Sequence, residues 1–326
     1  MKNKKVVKPF IIAGTIIVIL YSIIYSVTLF FVYTAFHPVK SEKNPDSPAC
    51  LADSKEIKPD AAEYDINFYD EQNRCFMWLL SVSETVTIKS YDGLNLNARF
   101  APQPDSHNYV ILMHGFRDST KYISSYAKKF YEKGFNVLLP GQRGHGWSEG
   151  NIVDMSAFTP FDVKSWTEFI CSRDNEAKIA FWGVSMGGST VMQATGLELP
   201  ANVICCIEDC GFSSMWDEFV YQISSAYHLP GKQAMSLFNI YIKRHLKIDS
   251  KKVSAANAVS KSSIPTLFIH GDADTYVPFY MLDIVYDAAN CPKEKLVMEG
   301  APHARAAFVN PTLYWDTVFS FIGKYF

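Results

Sequence analysis

From residue 84 to the C-terminus, short apolar runs alternate with stretches of helical period. The runs Tyr109–Met113, Asn136–Leu139, Ile179–Trp182, Val203–Glu208, Thr266–His270 and Lys295–Met298 read as buried strands. Between them, Ser124–Lys133 and Phe161–Ser172 carry helical spacing. Glu84–Lys89 and Leu94–Phe100 flank Tyr91-Asp92-Gly93 and predict an antiparallel hairpin. Strands separated by helices predict an α/β fold: a mainly parallel sheet with the hairpin at one edge and helices on both faces. Between residues 211 and 263 the chain is too long for a bare loop, and Ser213–Ala226 and Lys232–His245 read as two helices of a cap inserted over the sheet.

The N-terminal pattern is different. No charged residue occurs from Pro9 to Phe36, a run longer than the ~20 residues that cross a bilayer. Residues 9–36 are therefore expected to be a single transmembrane anchor. Cleavage as a signal peptide fits poorly, because the run exceeds an ordinary signal core and bulky Tyr33 precedes Ala35. Lys2, Lys4, Lys5 and Lys8 precede the run, whereas Lys40 and Lys43 beyond it are mixed with Glu42 and Asp46. This bias predicts a cytoplasmic tail over residues 1–8 and the remainder of the chain outside the cell membrane. Residues 37–63, polar and rich in Pro, Ser, Asp and Lys, read as a stalk. Tyr64–Leu80 reads as a helix packed on the catalytic domain, which is expected over residues 64–326.

Composition narrows the class. At 48% hydrophobic and 20% charged, the 326 residues suffice for one sizeable core beyond the anchor. A formal charge of −2 with no basic block past the N-terminus leaves nucleic-acid binding without an electrostatic footprint. Seven irregularly spaced cysteines suit neither a disulfide framework nor a zinc site, although a Cys50–Cys75 bridge is open.

Candidate chemistry lies at Gly183-Val184-Ser185-Met186-Gly187, between an apolar strand and a helical run. This context suits a sharp turn that projects a serine hydroxyl, with glycines allowing strand and helix to approach closely. Downstream, Gly271-Asp272-Ala273-Asp274 leaves the strand ending at His270, and His303 lies in a loop after Met298. The chain order Ser, Asp, His differs from the chymotrypsin and subtilisin orders.

On these motifs, residues 84–326 resemble the α/β-hydrolase superfamily, most of all its membrane-anchored bacterial cell-surface branch with serine aminopeptidase-like and esterase-like relatives. The resemblance implies Ser185 as nucleophile, His303 as base and Asp274 as acid, since the pattern His-Gly-x-x-Asp-x-x-Val-Pro puts the acid on Asp274. It leaves Asp272 as a turn former and Asp209, after the fourth of these strands, as a rival acid. It implies an oxyanion hole from the backbone N–H groups of Phe116 and Met186. His114, Arg143 and His145 are expected mainly to brace loops. Implied is a membrane-anchored serine hydrolase acting on a small-molecule, lipid or peptide acyl substrate, an ester, thioester or amide, with esterase-like activity favoured and no cofactor or metal. An aminopeptidase-like enzyme, an acyltransferase and a catalytically silent surface-binding module are the alternatives.

Overall fold

The computed structural model describes residues 4–40 and 63–326; the side chains of residues 4–12, 17, 20, 21, 24, 63–67 and 69 lie outside that description. In chain order the elements are α1 (Lys4–Phe36), β1 (Val39–Lys40), α2 (Glu63–Val82), β2 (Glu84–Lys89), β3 (Asn95–Ala101), β4 (Asn108–Met113) and α3 (Ser124–Glu132). Next come β5 (Asn136–Pro140), β6 (His145–Gly146), α4 (Thr159–Arg173), β7 (Lys178–Val184), α5 (Met186–Thr195) and β8 (Val203–Asp209). Then follow α6 (Met215–Tyr227), α7 (Gly231–His245), α8 (Ala255–Val259), β9 (Thr266–Gly271), α9 (Tyr280–Ala288), β10 (Lys293–Met298), α10 (Ala306–Val309) and α11 (Pro311–Ile322).

Eight strands form one sheet in the order β10-β9-β8-β7-β4-β5-β3-β2. The pairs from β10 to β5 are parallel, whereas β2–β3 and β3–β5 are antiparallel. The expected hairpin thus forms the expected edge. The period-2 alternation of a strand explains the two-sided core. On β7, Ala180, Trp182 and Val184 face the cluster containing Phe130, Tyr314 and Phe321, while Ile179 and Phe181 face Trp166, Ile170 and Val191. Helix α2 joins the first side through Phe76 and Leu79, and Gln72 Nε2 donates to Ser125 Oγ at 2.7 Å.

The insertion between β8 and β9 is divided in use. Helices α6 and α7 form a cap cluster with Met215, Ile223, Met235 and Phe238 buried. The short α8, expected to be part of the cap, instead packs with Met192 of α5, α9 and Phe268 of β9. Gly196 lies where a Cβ would come 2.9 Å from Ala258, which is why α8 approaches so closely. Helices α9 and α11 were not read from the sequence; Asn310 caps α11 by accepting from Leu313 N at 3.1 Å.

The N-terminal segment departs from the expected stalk. Residues 37–40 do not lift away: Val39 and Lys40 pair in parallel with His145 and Gly146. Val39 N donates to Gly144 O at 2.7 Å, and Val153 N donates to Phe36 O at 3.0 Å. The rest of the expected stalk, residues 41–62, lies outside the described residues. Helix α1 extends over 33 residues. Among the described residues, however, no helix is long and apolar enough to cross a membrane, so the expected span over 9–36 finds no support at that level. Cys75 is a buried free thiol, and Cys50 lies outside the described residues.

Candidate active site

The strand–turn–helix from β7 to α5 holds Ser185 at φ 57° and ψ −121°, a strained conformation for a residue with a Cβ. The turn closes because its flanking residues are glycines. A Cβ on Gly187 would lie 2.0 Å from Met113 O, and one on Gly183 would lie 2.2 Å from Gly187 O. Ser185 N donates to Asp209 O at 2.8 Å, tying the turn to the neighbouring strand β8.

The three predicted side chains meet above the C-terminal ends of β7, β9 and β10. Ser185 Oγ lies 2.9 Å from His303 Nε2, and His303 Nδ1 lies 2.7 Å from Asp274 Oδ2. With Nδ1–H donating to the carboxylate, Nε2 is free to accept from the serine hydroxyl. Asp274 is itself held: its Oδ1 accepts from Tyr276 N at 2.8 Å and Val277 N at 3.0 Å. Burial works to raise the Asp274 pKa, but hydrogen bonds from His270 and His303 outweigh it and hold the carboxyl at about 2. Asp274 is therefore ionised, and the Tyr276 ring packs 5.0 Å from that of His303.

His270 had no assigned role in the sequence, although it stands first in the same loop motif. Its Nε2 donates to Val277 O at 3.0 Å and lies 3.3 Å from Asp274 Oδ2. It braces Asp274 at the same carboxylate oxygen that His303 contacts. Cys210 was also missed. Its Sγ, Asp274 and His303 have ligand atoms within 4.8 Å of one another, the one metal-like cluster among the described residues. Burial pushes the thiol well up, so it is protonated and a poor ligand, while Asp274 and His303 already engage each other.

The rival acids serve elsewhere. Asp209 Oδ2 accepts from Tyr314 OH at 2.9 Å, and Trp182 Nε1 donates to that hydroxyl at 3.2 Å. Asp272 Oδ1 accepts from Gly300 N at 2.7 Å, a turn contact. His114 is fully buried: its Nδ1 donates to Gly115 O at 2.9 Å and its Nε2 accepts from Gln142 N at 3.2 Å. Burial lowers its pKa to about 4, so it stays neutral. Arg143 grips Asp162 and Asp92, and His145 Nδ1 lies 3.1 Å from Arg143 O. The 141–150 loop is thus braced against α4 and the β2–β3 turn, and it carries β6, to which the end of α1 is tied.

Gly115 brings the turn before Phe116 against Ser185, since a Cβ there would sit 3.5 Å from Ser185 Cβ. Phe116, Ser185 and Met186 line one cavity of about 270 Å³ beneath the cap. Met186 N belongs to the first turn of α5, where backbone donors lack intrahelical partners. Among the described residues, neither amide donates to another group. Tyr221 OH and Gln222 Nε2 donate to Thr275 O (2.9 Å) and Tyr276 O (2.6 Å), so α6 is fastened to the acid loop. Glu218, also facing this cavity, was not singled out in the sequence; burial raises its pKa to about 8, leaving it mainly protonated at neutral pH.

A family model of serine aminopeptidases, S33, matches residues 104–222. The uncharacterized protein YqkD of Bacillus subtilis is 25% identical over 238 residues, covering 73% of this chain and 78% of its own. Among solved structures, the Pyrococcus furiosus esterase Pf2001 superposes with a TM-score of 0.61 at 21% identity, covering 74% of this chain and 92% of its own. The α/β hydrolase GrgF from Penicillium sp. sh18 also superposes with a TM-score of 0.61, at 19% identity, over 74% of this chain and 98% of its own. The eight-stranded sheet and these superpositions show that the chain has the α/β-hydrolase fold, and residues 104–222 within it are similar to the serine aminopeptidase family.

Proposed function

We propose that the chain is a membrane-anchored serine hydrolase that cleaves an ester, thioester or amide through an acyl-enzyme, with ester substrates favoured. The observation that carries this reading is the hydrogen-bonded row Ser185 Oγ, His303 Nε2, His303 Nδ1 and Asp274 Oδ2 at 2.9 and 2.7 Å. In this mechanism His303 takes the hydroxyl proton as Ser185 Oγ attacks the acyl carbon. Asp274 fixes the imidazole tautomer and stabilises the imidazolium. The N–H groups of Phe116 and Met186 receive the developing oxyanion, a contribution of typically about 3 kcal/mol per donor. His303 returns the proton to the leaving group, and water, activated by the same imidazole, releases the acid.

The S33 family match keeps an aminopeptidase-like activity as the second reading. For anchoring, the support is the charge-free run from Pro9 to Phe36 and the outward apolar side chains of α1, among them Val18 at 63% exposure.

A fluorophosphonate probe tests the mechanism. The parent chain should be labelled, and Ser185→Ala should abolish labelling and lower kcat on p-nitrophenyl esters by on the order of 10⁶. Folded protein that resists the probe would favour a silent binding module.

A further inference from the structure

The cavity beside Ser185 has an unexpected wall. Its floor is Phe116, Ser185 and Met186, and Phe219 and Ile223 of α6 with Phe238 of α7 close it from above. Part of its lining is Phe31, Thr34 and Ala35, all from the last turns of α1. Phe31 packs edge-to-face on Tyr227 at 4.8 Å, and Phe36 lies 5.9 Å from Phe219 and 6.0 Å from Phe238. This end of the helix is clamped by the β1–β6 pair and by the bonds from Val39 N and Val153 N. Arg117 Nη1 also donates to Thr34 O at 3.3 Å. The wall is therefore built into the domain by backbone pairing.

The same helix presents a different face outward. Ile16, Val18, Ile23 and Phe30 are each more than half exposed, an apolar surface that a lipid phase would cover. One helix thus lies against the reaction cavity at its end and offers apolar side chains to lipid along its length. The cavity of about 270 Å³, lined mostly by apolar side chains, has room for an apolar acyl chain of medium length. Its buried ionisable group, Glu218, is mainly protonated at neutral pH, so the interior is uncharged.

We propose that α1 completes the acyl-binding pocket, and that the substrate is an ester whose medium-length apolar acyl chain enters from the lipid phase along that helix. This rests on the serine-hydrolase reading. In the transfer step the Ser185 Oγ–acyl carbon bond forms and the carbon–alkoxy bond breaks; the serine proton passes through His303 to the leaving alcohol. Water then cleaves the acyl-enzyme, regenerating the hydroxyl and releasing the fatty acid.

The test uses the full chain in detergent micelles with p-nitrophenyl acetate and octanoate. The parent should prefer octanoate in kcat/KM. Ala35→Trp, which fills the wall side, should lower the octanoate-to-acetate ratio at least about tenfold, the scale expected for excluding even one methylene. Phe31→Ala, which opens that side, should lower the same ratio severalfold. A parent preference for acetate, ratios within twofold of the parent in both variants, or an equal loss on both esters would overturn the proposal. Ser185→Ala runs alongside: turnover surviving in that variant would defeat the underlying catalytic reading, whatever the two α1 variants do.

Discussion

At the scale of single residues, the site depends on which carboxylate reaches the imidazole. Asp209 ends β8, the neighbour of β7, and Asp274 lies in the loop after β9, but only Asp274 touches His303; Asp209 is occupied by Tyr314. Replacing Asp274 by Asn should leave the wrong imidazole tautomer and lower kcat by roughly 10⁴. Asp209→Asn still accepts from Tyr314 and should cost a few-fold at most. Equal losses in steady-state kinetics would reject the assignment of the acid. His270 belongs to the same scale: it grips Asp274 Oδ2 without touching Ser185, so it is a positioning residue.

At the scale of elements, the β7–α5 turn shows how local sequence dictates geometry. Ser185 occupies a backbone region that a side chain disfavours, and the cost is sustained because the turn is enclosed by Met113, Gly183 and Gly187. Gly187→Ala puts a Cβ 2.0 Å from Met113 O, with backbone and no flexible side chain in the way. We expect a loss of about 3 kcal/mol or more, the upper end of overpacking, read as a lowered midpoint in urea unfolding. An unchanged midpoint would show that β4 and α5 yield more readily than the close contact implies. This geometry was readable in advance from the Gly-x-Ser-x-Gly spacing. The docking of α1 was not, because parallel pairing of two-residue strands 106 positions apart leaves no periodic trace.

At the scale of the whole molecule, buried acids set the response to pH. Burial pushes Glu208 up to about 8, against an ordinary value of 4.5, and Asp209 up to about 6. A carboxyl that stays protonated in the folded chain but ionises in the unfolded one favours folding at low pH. Its contribution is full below about 4.5 and is lost as pH rises towards about 8. For Glu208 the window is worth on the order of a few kcal/mol. Glu208→Gln keeps an acceptor for Gly211 N, now bonded at 2.9 Å, and carries no proton to lose. Its Tm should therefore decline less than the parent's between pH 5 and 8, by several degrees. Parallel declines would show that Glu208 is ionised in the folded chain.

The amino-acid sequence alone determined the strand–helix alternation, the elbow around Ser185 and the chain order Ser185, Asp274, His303. These are local: period, turn chemistry and motif spacing are written in neighbouring residues. Tertiary structure alone decided that Asp209 is taken up by Tyr314, and that His270 backs Asp274. It also decided that α8 leaves the cap, and that Phe31, Thr34 and Ala35 wall the cavity beside Ser185. Those outcomes depend on which side chains meet in space, where packing and backbone pairing, absent from the local pattern of the sequence, choose the partner.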